Sequence, residues 1–164
     1  MRETIVLRPE TEDDVEFLRR LYASTREEEL KQVDWPPEVK EQFCRQQFEA
    51  QRAHYHQHYS GAEYSIIEQD GVPVGRLYVK RLPDDVRIMD IALMPEHRGR
   101  GIGGVLLREI LDEAASDGKS VSIHVEIFNP ALRLYERLGF RQLETYGPYH
   151  LLEWRPGANA VPVN

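Results

Sequence analysis

Apolar side chains recur along the chain with two spacings, one typical of helices and one typical of strands. A separation of three or four residues predicts amphipathic helices at Val15–Tyr22, at about Glu38–His58, from about Gly103 to near Gly118, and from Asn129 to Gly139. Runs of β-branched and aromatic residues predict short strands at Thr4–Arg8, Glu63–Gln69, Pro73–Arg81, Asp85–Met94, Ser120–Ile127, Phe140–Glu144 and Tyr149–Trp154. The predicted order of elements is therefore β-α-α-β-β-β-α-β-α-β-β.

Local signals mark where several of these elements begin and end. Thr11 followed by Asp14 resembles a capping box, and Asp70-Gly71 is a strong hairpin signal. Pro9 is predicted to end the first strand, and the polar stretch from Ser24 to Asp34 carries no helical or strand pattern. In the second helix, the side chains predicted to face inward are Val39, Phe43, Cys44 and Phe48.

This order of elements predicts an α/β fold with a mixed, mostly antiparallel sheet and about four flanking helices. The strand–helix–strand unit in the middle would bring Asp85–Met94 and Ser120–Ile127 together in parallel. At 164 residues the chain has the length of one domain, which we place at residues 1–154. Residues 155–164 are rich in Pro, Gly, Ala and Asn and are predicted to form a disordered tail.

Composition and charge narrow the classes of function. The formal net charge of −7 argues against a general nucleic-acid or acidic-membrane binder, because such binding needs clustered Lys and Arg. No run approaches the length of a membrane span, and the Met-Arg-Glu-Thr start lacks the apolar stretch of a signal peptide. Cys44 is the only cysteine, so no intramolecular disulfide can form. These features together predict a cytoplasmic protein.

The most informative segment runs from Ile91 to Gly104, through the end of an apolar strand and a Gly/Arg loop into a helix. Glycines let the backbone approach a ligand closely and adopt positive φ. A helix that starts at about Gly103 directs unpaired N–H groups and a partial positive charge at the same spot. Arg98 and Arg100 add guanidinium donors suited to phosphate. The segment therefore predicts a site for an anionic cofactor.

Two other interpretations of the glycine loop have to be considered. Gly99, Gly101 and Gly104 also satisfy the dinucleotide pattern G-x-G-x-x-G, and Glu126 follows at about the spacing of a ribose-binding acid. Against a dinucleotide site, Pro95–Arg98 separates the strand from the first glycine, and the chain has too few strand–helix–strand units for that fold. A purely structural turn needs only the glycines, and leaves the interleaved arginines unexplained.

Two motifs in this chain resemble the GNAT superfamily of N-acetyltransferases. Arg98-x-x-Gly101-x-Gly103, preceded by Pro95-Glu96, is similar to that superfamily's Q/R-x-x-G-x-G/A pyrophosphate loop. The segment Asn129-Pro-Ala-Leu-Arg-Leu-Tyr-Glu-Arg-Leu-Gly-Phe140 is similar to its Asn…Tyr…Gly-Phe segment. The predicted order of elements also matches the superfamily's fold from about Thr4 to Trp154.

The resemblance implies a GNAT-like acyl-CoA N-acyltransferase fold, acetyl-CoA as donor, direct transfer to an amine in a ternary complex, and no metal. The loop would hold the pyrophosphate, the preceding strand would part from its parallel neighbour and bind the pantetheine arm, and the N–H of Leu93 would polarise the thioester carbonyl. Tyr135 would protonate the departing thiolate. The cofactor-binding residues implied are Ile91, Ala92, Leu93, Arg98, Gly99, Arg100, Gly101, Ile102, Gly103, Gly104 and Asn129.

Several of these roles have a structural alternative. Tyr135 belongs to a helical apolar stripe and could be a core residue, and Asn129 before Pro130 is a common helix cap. Asp90 is the favoured base or amine-orienting group, because a carboxylate in an apolar strand is costly unless it is paired or functional. Glu63 and Glu126 are weaker candidates for the base, and deprotonation through water is a further one.

Features outside the two motifs add little to this functional hypothesis. His54 and His58 share a helix face, but a solvated or acceptor-lining surface is favoured over a metal site. Trp35 falls where the superfamily places its acceptor-side loop, and a packing role suits it equally well. The alternative function is a non-catalytic acyl-CoA-binding or regulatory module on the same fold. The class of the acceptor amine is left open, and a homodimer is expected only by resemblance.

Overall fold

The computed structural model describes residues 4–157, so that most of the predicted tail, residues 158–164, lies outside the described part. The strands are β1 Ile5–Pro9, β2 Glu63–Gln69, β3 Val72–Arg81, β4 Asp85–Leu93, β5 Ser120–Glu126, β6 Arg141–Tyr146 and β7 Tyr149–Trp154. The helices are α1 Val15–Thr25, α2 Glu27–Leu30, α3 Pro37–His58, α4 Ile102–Asp117 and α5 Leu132–Leu138, with single 3-10 turns at Glu12–Asp14 and Pro95–His97.

The strands of the described residues form one seven-stranded sheet in the order β1-β2-β3-β4-β5-β7-β6. β1 and β2 are antiparallel, as are β5 with β7 and β6 with β7. β4 and β5 are parallel, with Asp85 opposite Ser120 and Ile88 opposite Ile123. The prediction of a mixed sheet with a central parallel pair is thus confirmed.

Pro9 belongs to β1 instead of ending it, and lies opposite Ser65 of β2. β1 is the first strand of the sheet order, so its outer edge needs no hydrogen-bond donor. Proline lacks only the N–H, and an edge strand tolerates that loss. The predicted strand end was therefore wrong by one residue.

The chain divides into two compact units. The first contains the residues up to Leu77 together with Ile91–Arg98, and the second contains Tyr78–Asp90 and the residues from Gly99 onwards. Two strands, β3 and β4, contribute residues to both units. No helix in residues 4–157 is long and apolar enough to cross a membrane.

The core of the first unit lies between helices and strand β2. Leu18, Tyr22, Phe48 and Ile66 form one buried cluster, in which the rings of Tyr22 and Phe48 lie 6.2 Å apart. Cys44 is buried on α3 as predicted, whereas Val39 is 44% exposed and the prediction for it was wrong. Val39 lies in the first turn of α3, where the three residues before it are exposed as well. Periodicity identifies the face of a helix but not how far that face is covered.

α2 is a helix that the sequence pattern did not indicate. It is a single turn within the polar stretch, and its one apolar residue, Leu30, is only 7% exposed. The N–H of Leu30 donates to the carbonyl of Arg26 at 2.9 Å. A single buried residue has no period, so the usual helical signal could not arise.

The second unit packs α4 and the central strands into an apolar core. The buried side chains of α4 include Leu106, Leu107, Ile110 and Ala114, and the buried apolar side chains of β4 and β5 are Val86, Ile88, Val121, Ile123 and Val125. The alternate positions of these two strands carry polar side chains. Asp85 accepts hydrogen bonds from Ser120 at 2.8 Å and from Ser122 at 2.5 Å, and Arg87 donates to Ser122 at 2.7 Å. This polar group joins β4 to β5 where their pairing begins.

Candidate active site

The loop between β4 and α4 presents open backbone. Gly99 and Gly101 have φ values of +73° and +84°, which only glycine adopts without strain. A Cβ atom placed at Gly99, Gly101 or Gly103 would meet no atom of the described residues within 4 Å. The loop therefore has the conformation that needs glycine, together with room for a ligand against its backbone.

The start of α4 adds unpaired hydrogen-bond donors to this loop. α4 begins at Ile102, one residue before the predicted start, and no side chain caps it. The N–H of Val105 makes the first intrahelical bond, to the carbonyl of Gly101 at 3.0 Å. The N–H groups of Ile102, Gly103 and Gly104 therefore have no acceptor within the helix. Together with the helix dipole they favour an anion at this end of α4.

The two arginines of the loop have different environments. The Nε of Arg98 donates to the carbonyl of Leu93 at 2.9 Å, and Nη2 lies 3.4 Å from the hydroxyl of Ser24. Arg98 thus contacts the end of β4, and its role as a phosphate donor stays a prediction. Arg100 is exposed and forms no ion pair with residues 4–157. Arg100 is therefore the more available cation of the pair.

The end of β4 approaches β3 very closely at Gly75. A Cβ atom at Gly75 would lie 2.3 Å from the carbonyl oxygen of Ala92 and 2.8 Å from a methyl group of Leu93. Next to this contact, the N–H of Met94 donates to the carbonyl of Val74 at 2.8 Å. Gly75 was not among the predicted site residues. The available signal was an isolated glycine inside a strand, which often marks a close backbone approach.

In the second unit, the parallel pairing of β4 and β5 ends before either strand does. The register runs only from Asp85 opposite Ser120 to Ile88 opposite Ile123. Beyond that point β5 continues beside β7 to Glu126, which lies opposite Tyr149. Met89 and Asp90 follow Ile88 on β4. The parting of strands that the resemblance implied at about Ile91–Leu93 stays a prediction.

Tyr135 is buried on α5 and lies near a carboxylate. It is 4% exposed, and its ring packs edge-on against Phe140 with centroids 5.6 Å apart. Burial raises the pKa of the Tyr135 hydroxyl well above its usual range, and the negative charge of Asp90 raises it further. The hydroxyl therefore stays protonated across the neutral range. Its burial fits the core interpretation, and the effect of Asp90 on its pKa shows that the two residues interact electrostatically.

The candidates for the base have different degrees of burial. Asp90 is half-buried, whereas Glu63 and Glu126 are exposed at the ends of β2 and β5. Of the three, only Asp90 contributes to the raised pKa of Tyr135. Asp90 thus lies within electrostatic range of Tyr135, and its role as the base stays a prediction.

Asn129 makes the contact expected of a cap. Its side-chain oxygen accepts a hydrogen bond from the N–H of Ala131 at 2.8 Å, and its carbonyl accepts one from Leu132 at 3.1 Å. α5 begins at Leu132, so this side chain shapes the turn that leads into the helix. A contact with the cofactor arm stays a prediction.

The aromatic residues of the first unit behave as packing groups. The edge of Trp35 packs against Phe43 with ring centroids 5.4 Å apart. The rings of His54 and His58 lie 4.5 Å apart on α3. Residues 4–157 contain no group of three side chains able to hold a metal ion.

The sequence matches the Acetyltransferase (GNAT) family over residues 17–140, and the chain belongs to this family. It is similar to N-alpha-acetyltransferase RimI of Mycobacterium tuberculosis (35% identity over 114 residues, 66% of this chain and 63% of that protein). It is also similar to the ribosomal protein bS18-alanine N-acetyltransferase of Haemophilus influenzae (26% identity over 86 residues, 52% of this chain and 58% of that protein). The matched segments thus span between a half and two thirds of these relatives.

Solved structures share the fold over almost the whole chain. PaiA N-acetyltransferase from Thermoplasma acidophilum, in complex with coenzyme A, has a TM-score of 0.70 at 19% identity and covers 93% of this chain and 99% of its own. The ribosomal-protein-S18-alanine N-acetyltransferase from Escherichia coli has a TM-score of 0.61 at 16% identity, with 93% and 94% covered. The predicted fold is confirmed by these similarities.

Proposed function

We propose that this chain is an acetyl-CoA-dependent N-acetyltransferase. The observation that carries the proposal is the loop before α4, with two glycines at positive φ, open space and three N–H groups that lack an intrahelical acceptor. These features suit a pyrophosphate, and Arg100 supplies an exposed cation beside it. Membership of the GNAT family gives the donor as acetyl-CoA.

The reaction assigned to the site is direct attack of an amine on the thioester carbonyl. The C–N bond forms first, with negative charge developing on the carbonyl oxygen, and the C–S bond breaks as the carbonyl re-forms and the thiolate leaves. The N–H of Leu93 is proposed to donate to that oxygen, an interaction that is worth about 3–4 kcal/mol where the donor is preorganised. The thiolate then takes a proton from Tyr135, and the amine nitrogen loses one to Asp90 or to water.

The raised pKa of Tyr135 keeps the proposed general acid in its protonated form and also makes it a weaker acid. Its hydroxyl is protonated at neutral pH, because burial and the Asp90 carboxylate both oppose ionisation. Because a thiol has a pKa near 8.5, proton transfer from this hydroxyl to the departing thiolate is uphill. General acid catalysis of this kind contributes about 10²–10⁴-fold to the rate.

The acceptor is proposed to be the α-amino group of a protein N-terminus. This follows the relatives, whose names give Nα-acetylation and an alanine of a ribosomal protein as their activities. An α-amino group has a pKa of about 7.7–8.0, against about 10.4 for a lysine. A weak base such as a half-buried aspartate is therefore sufficient for it.

The test is release of thiol from acetyl-CoA with three peptides. One has a free N-terminal alanine, one is the same peptide with a blocked N-terminus, and one has the blocked N-terminus and a lysine. Release with the first peptide alone, reduced in Tyr135→Phe but not in the control Tyr59→Phe, is the expected result. Binding of acetyl-CoA without release on any amine would favour a binding module. Absence of acetyl-CoA binding would contradict the assignment of the glycine loop.

A further inference from the structure

β3 approaches the end of β4 too closely at Gly75 for a side chain to fit there. The nearest atom to a Cβ there would be the backbone carbonyl oxygen of Ala92, at 2.3 Å. A flexible side chain could move away from such a contact, but a strand carbonyl cannot move without turning its whole peptide unit. The space of the missing side chain is thus occupied by the Ala92 carbonyl.

The direction of this carbonyl fixes the direction of the next N–H. The Ala92–Leu93 peptide is trans, as are all peptide bonds of residues 4–157. In a planar trans peptide the C=O and N–H groups point in opposite directions. Because the Ala92 carbonyl points at Gly75, the N–H of Leu93 points away from β3. This is the N–H that we assign to the thioester carbonyl.

Two further contacts hold the backbone on either side of this peptide. Arg98 donates to the carbonyl of Leu93 at 2.9 Å, and the N–H of Met94 donates to the carbonyl of Val74 at 2.8 Å. Both contacts act on the residues that follow the peptide. At the Ala92–Leu93 peptide itself, the carbonyl oxygen lies in the space that a side chain at Gly75 would occupy.

We propose that Gly75 is a positioning residue for catalysis, which turns the Ala92–Leu93 peptide so that the Leu93 N–H faces the thioester carbonyl. The inference rests on the transferase function proposed above. Gly75 touches no substrate itself, and it acts through the absence of a Cβ. Any larger residue would push the Ala92 carbonyl away and rotate the N–H out of line.

The test compares Gly75→Ala with Val72→Ile, since each change adds one carbon to β3. Val72 is 58% exposed and accepts the addition freely. Gly75→Ala is expected to lower kcat about 10²–10³-fold, the loss typical of one preorganised oxyanion donor. The Kd of Gly75→Ala for coenzyme A, which has no acyl carbonyl, should stay within about twofold of the wild-type value. The kcat of Val72→Ile and its Kd for coenzyme A should both stay within about twofold of the wild type. A purely structural role would weaken coenzyme A binding together with kcat.

A spectroscopic measurement follows the carbonyl directly. The ¹³C resonance of acetyl-CoA labelled at the thioester carbonyl should move downfield on binding to the wild type, and Gly75→Ala should abolish that movement. The double variant Gly75→Ala/Leu93→Ala removes the methyl conflict but leaves the carbonyl conflict, so it should stay slow. Recovery of kcat in the double variant would overturn the proposal in favour of side-chain crowding.

The outcomes separate this inference from the function on which it rests. A wild type without acetyl-CoA-dependent thiol release would contradict the transferase function and this inference with it. If the wild type is active and Gly75→Ala has the same kcat, the role of Gly75 is overturned but the transferase function is not. Should Gly75→Ala fail to fold, Leu93→Pro removes the N–H itself and keeps Gly75. A Leu93→Pro chain that binds coenzyme A and retains full kcat would overturn the proposal.

Discussion

Replacing Asp85 with alanine should destabilise the second unit by about 2–4 kcal/mol. The carboxylate accepts hydrogen bonds from the hydroxyls of Ser120 and Ser122, which are 8% and 5% exposed. Each buried donor left without an acceptor costs about 1–3 kcal/mol. Ser120 keeps a second acceptor, the carbonyl of Asp84 at 3.2 Å, so the cost at Ser120 lies at the low end of this range. Ser122 already accepts from Arg87, so its own proton would be left without a partner.

The measurement is urea unfolding followed by far-ultraviolet circular dichroism, with Asp84→Ala as the control. Asp84 is exposed, and its backbone carbonyl accepts the hydrogen bond from Ser120. The Asp84→Ala variant keeps this carbonyl. Asp84→Ala should therefore stay within about 0.5 kcal/mol of the wild type. For a chain of this size, 2–4 kcal/mol corresponds to a fall in Tm of roughly 4–16 °C. Equal stabilities of the two variants, at unchanged m-values, would refute the argument.

Three further results are expected. Burial and Asp90 raise the pKa of Tyr135, so kcat should show no loss from ionisation of Tyr135 below about pH 10. A pH–rate profile that falls near pH 8 in the wild type but not in Tyr135→Phe would contradict the general-acid role. Asn129→Ala should cost about 0.5–2 kcal/mol in urea unfolding with an unchanged Kd for acetyl-CoA, whereas a tenfold weaker Kd at unchanged stability would favour the cofactor contact. The hydrogen bond from Arg8 is the chief cause of the lowered pKa of Asp14. The contribution of Asp14 to the free energy of unfolding is therefore fully present above about pH 4, and it is lost as the pH falls through the folded-state pKa. Acid titration of Asp14→Asn should show a shallower loss of stability than the wild type in that range.

Local sequence signals predicted the parts of the fold that depend on a few neighbouring residues. Asp70 and Gly71 have φ values of +51° and +83°, the left-handed pair that the hairpin signal requires. Thr11 accepts from the N–H of Asp13, and Asp14 accepts from the N–H of Thr11 at 2.8 Å, which completes the capping box. In both cases the interacting groups lie within four residues of each other.

The features that the sequence did not reveal depend on residues far apart in the chain. Gly75 meets Ala92 only because two strands lie side by side, and Asp85 reaches Ser122 only because a parallel register places it there. Neither contact has a spacing that a linear pattern can detect. For the candidate site, the glycine loop was predicted from its residues, whereas Leu93, Asn129 and Tyr135 received their roles from family resemblance. Their burial, contacts and pKa directions required three-dimensional coordinates.

The reactivity of Cys44 can be used to detect local unfolding of the helices around it. It is the only cysteine of the chain, it is 6% exposed on α3, and burial raises the pKa of its thiol. A thiol that is buried and protonated reacts slowly with aromatic disulfides. The colour that such a reagent develops in a turnover assay therefore measures released coenzyme A with little background from the folded protein. Without substrate, the same reaction would time how often the helices around Cys44 separate, with no label introduced.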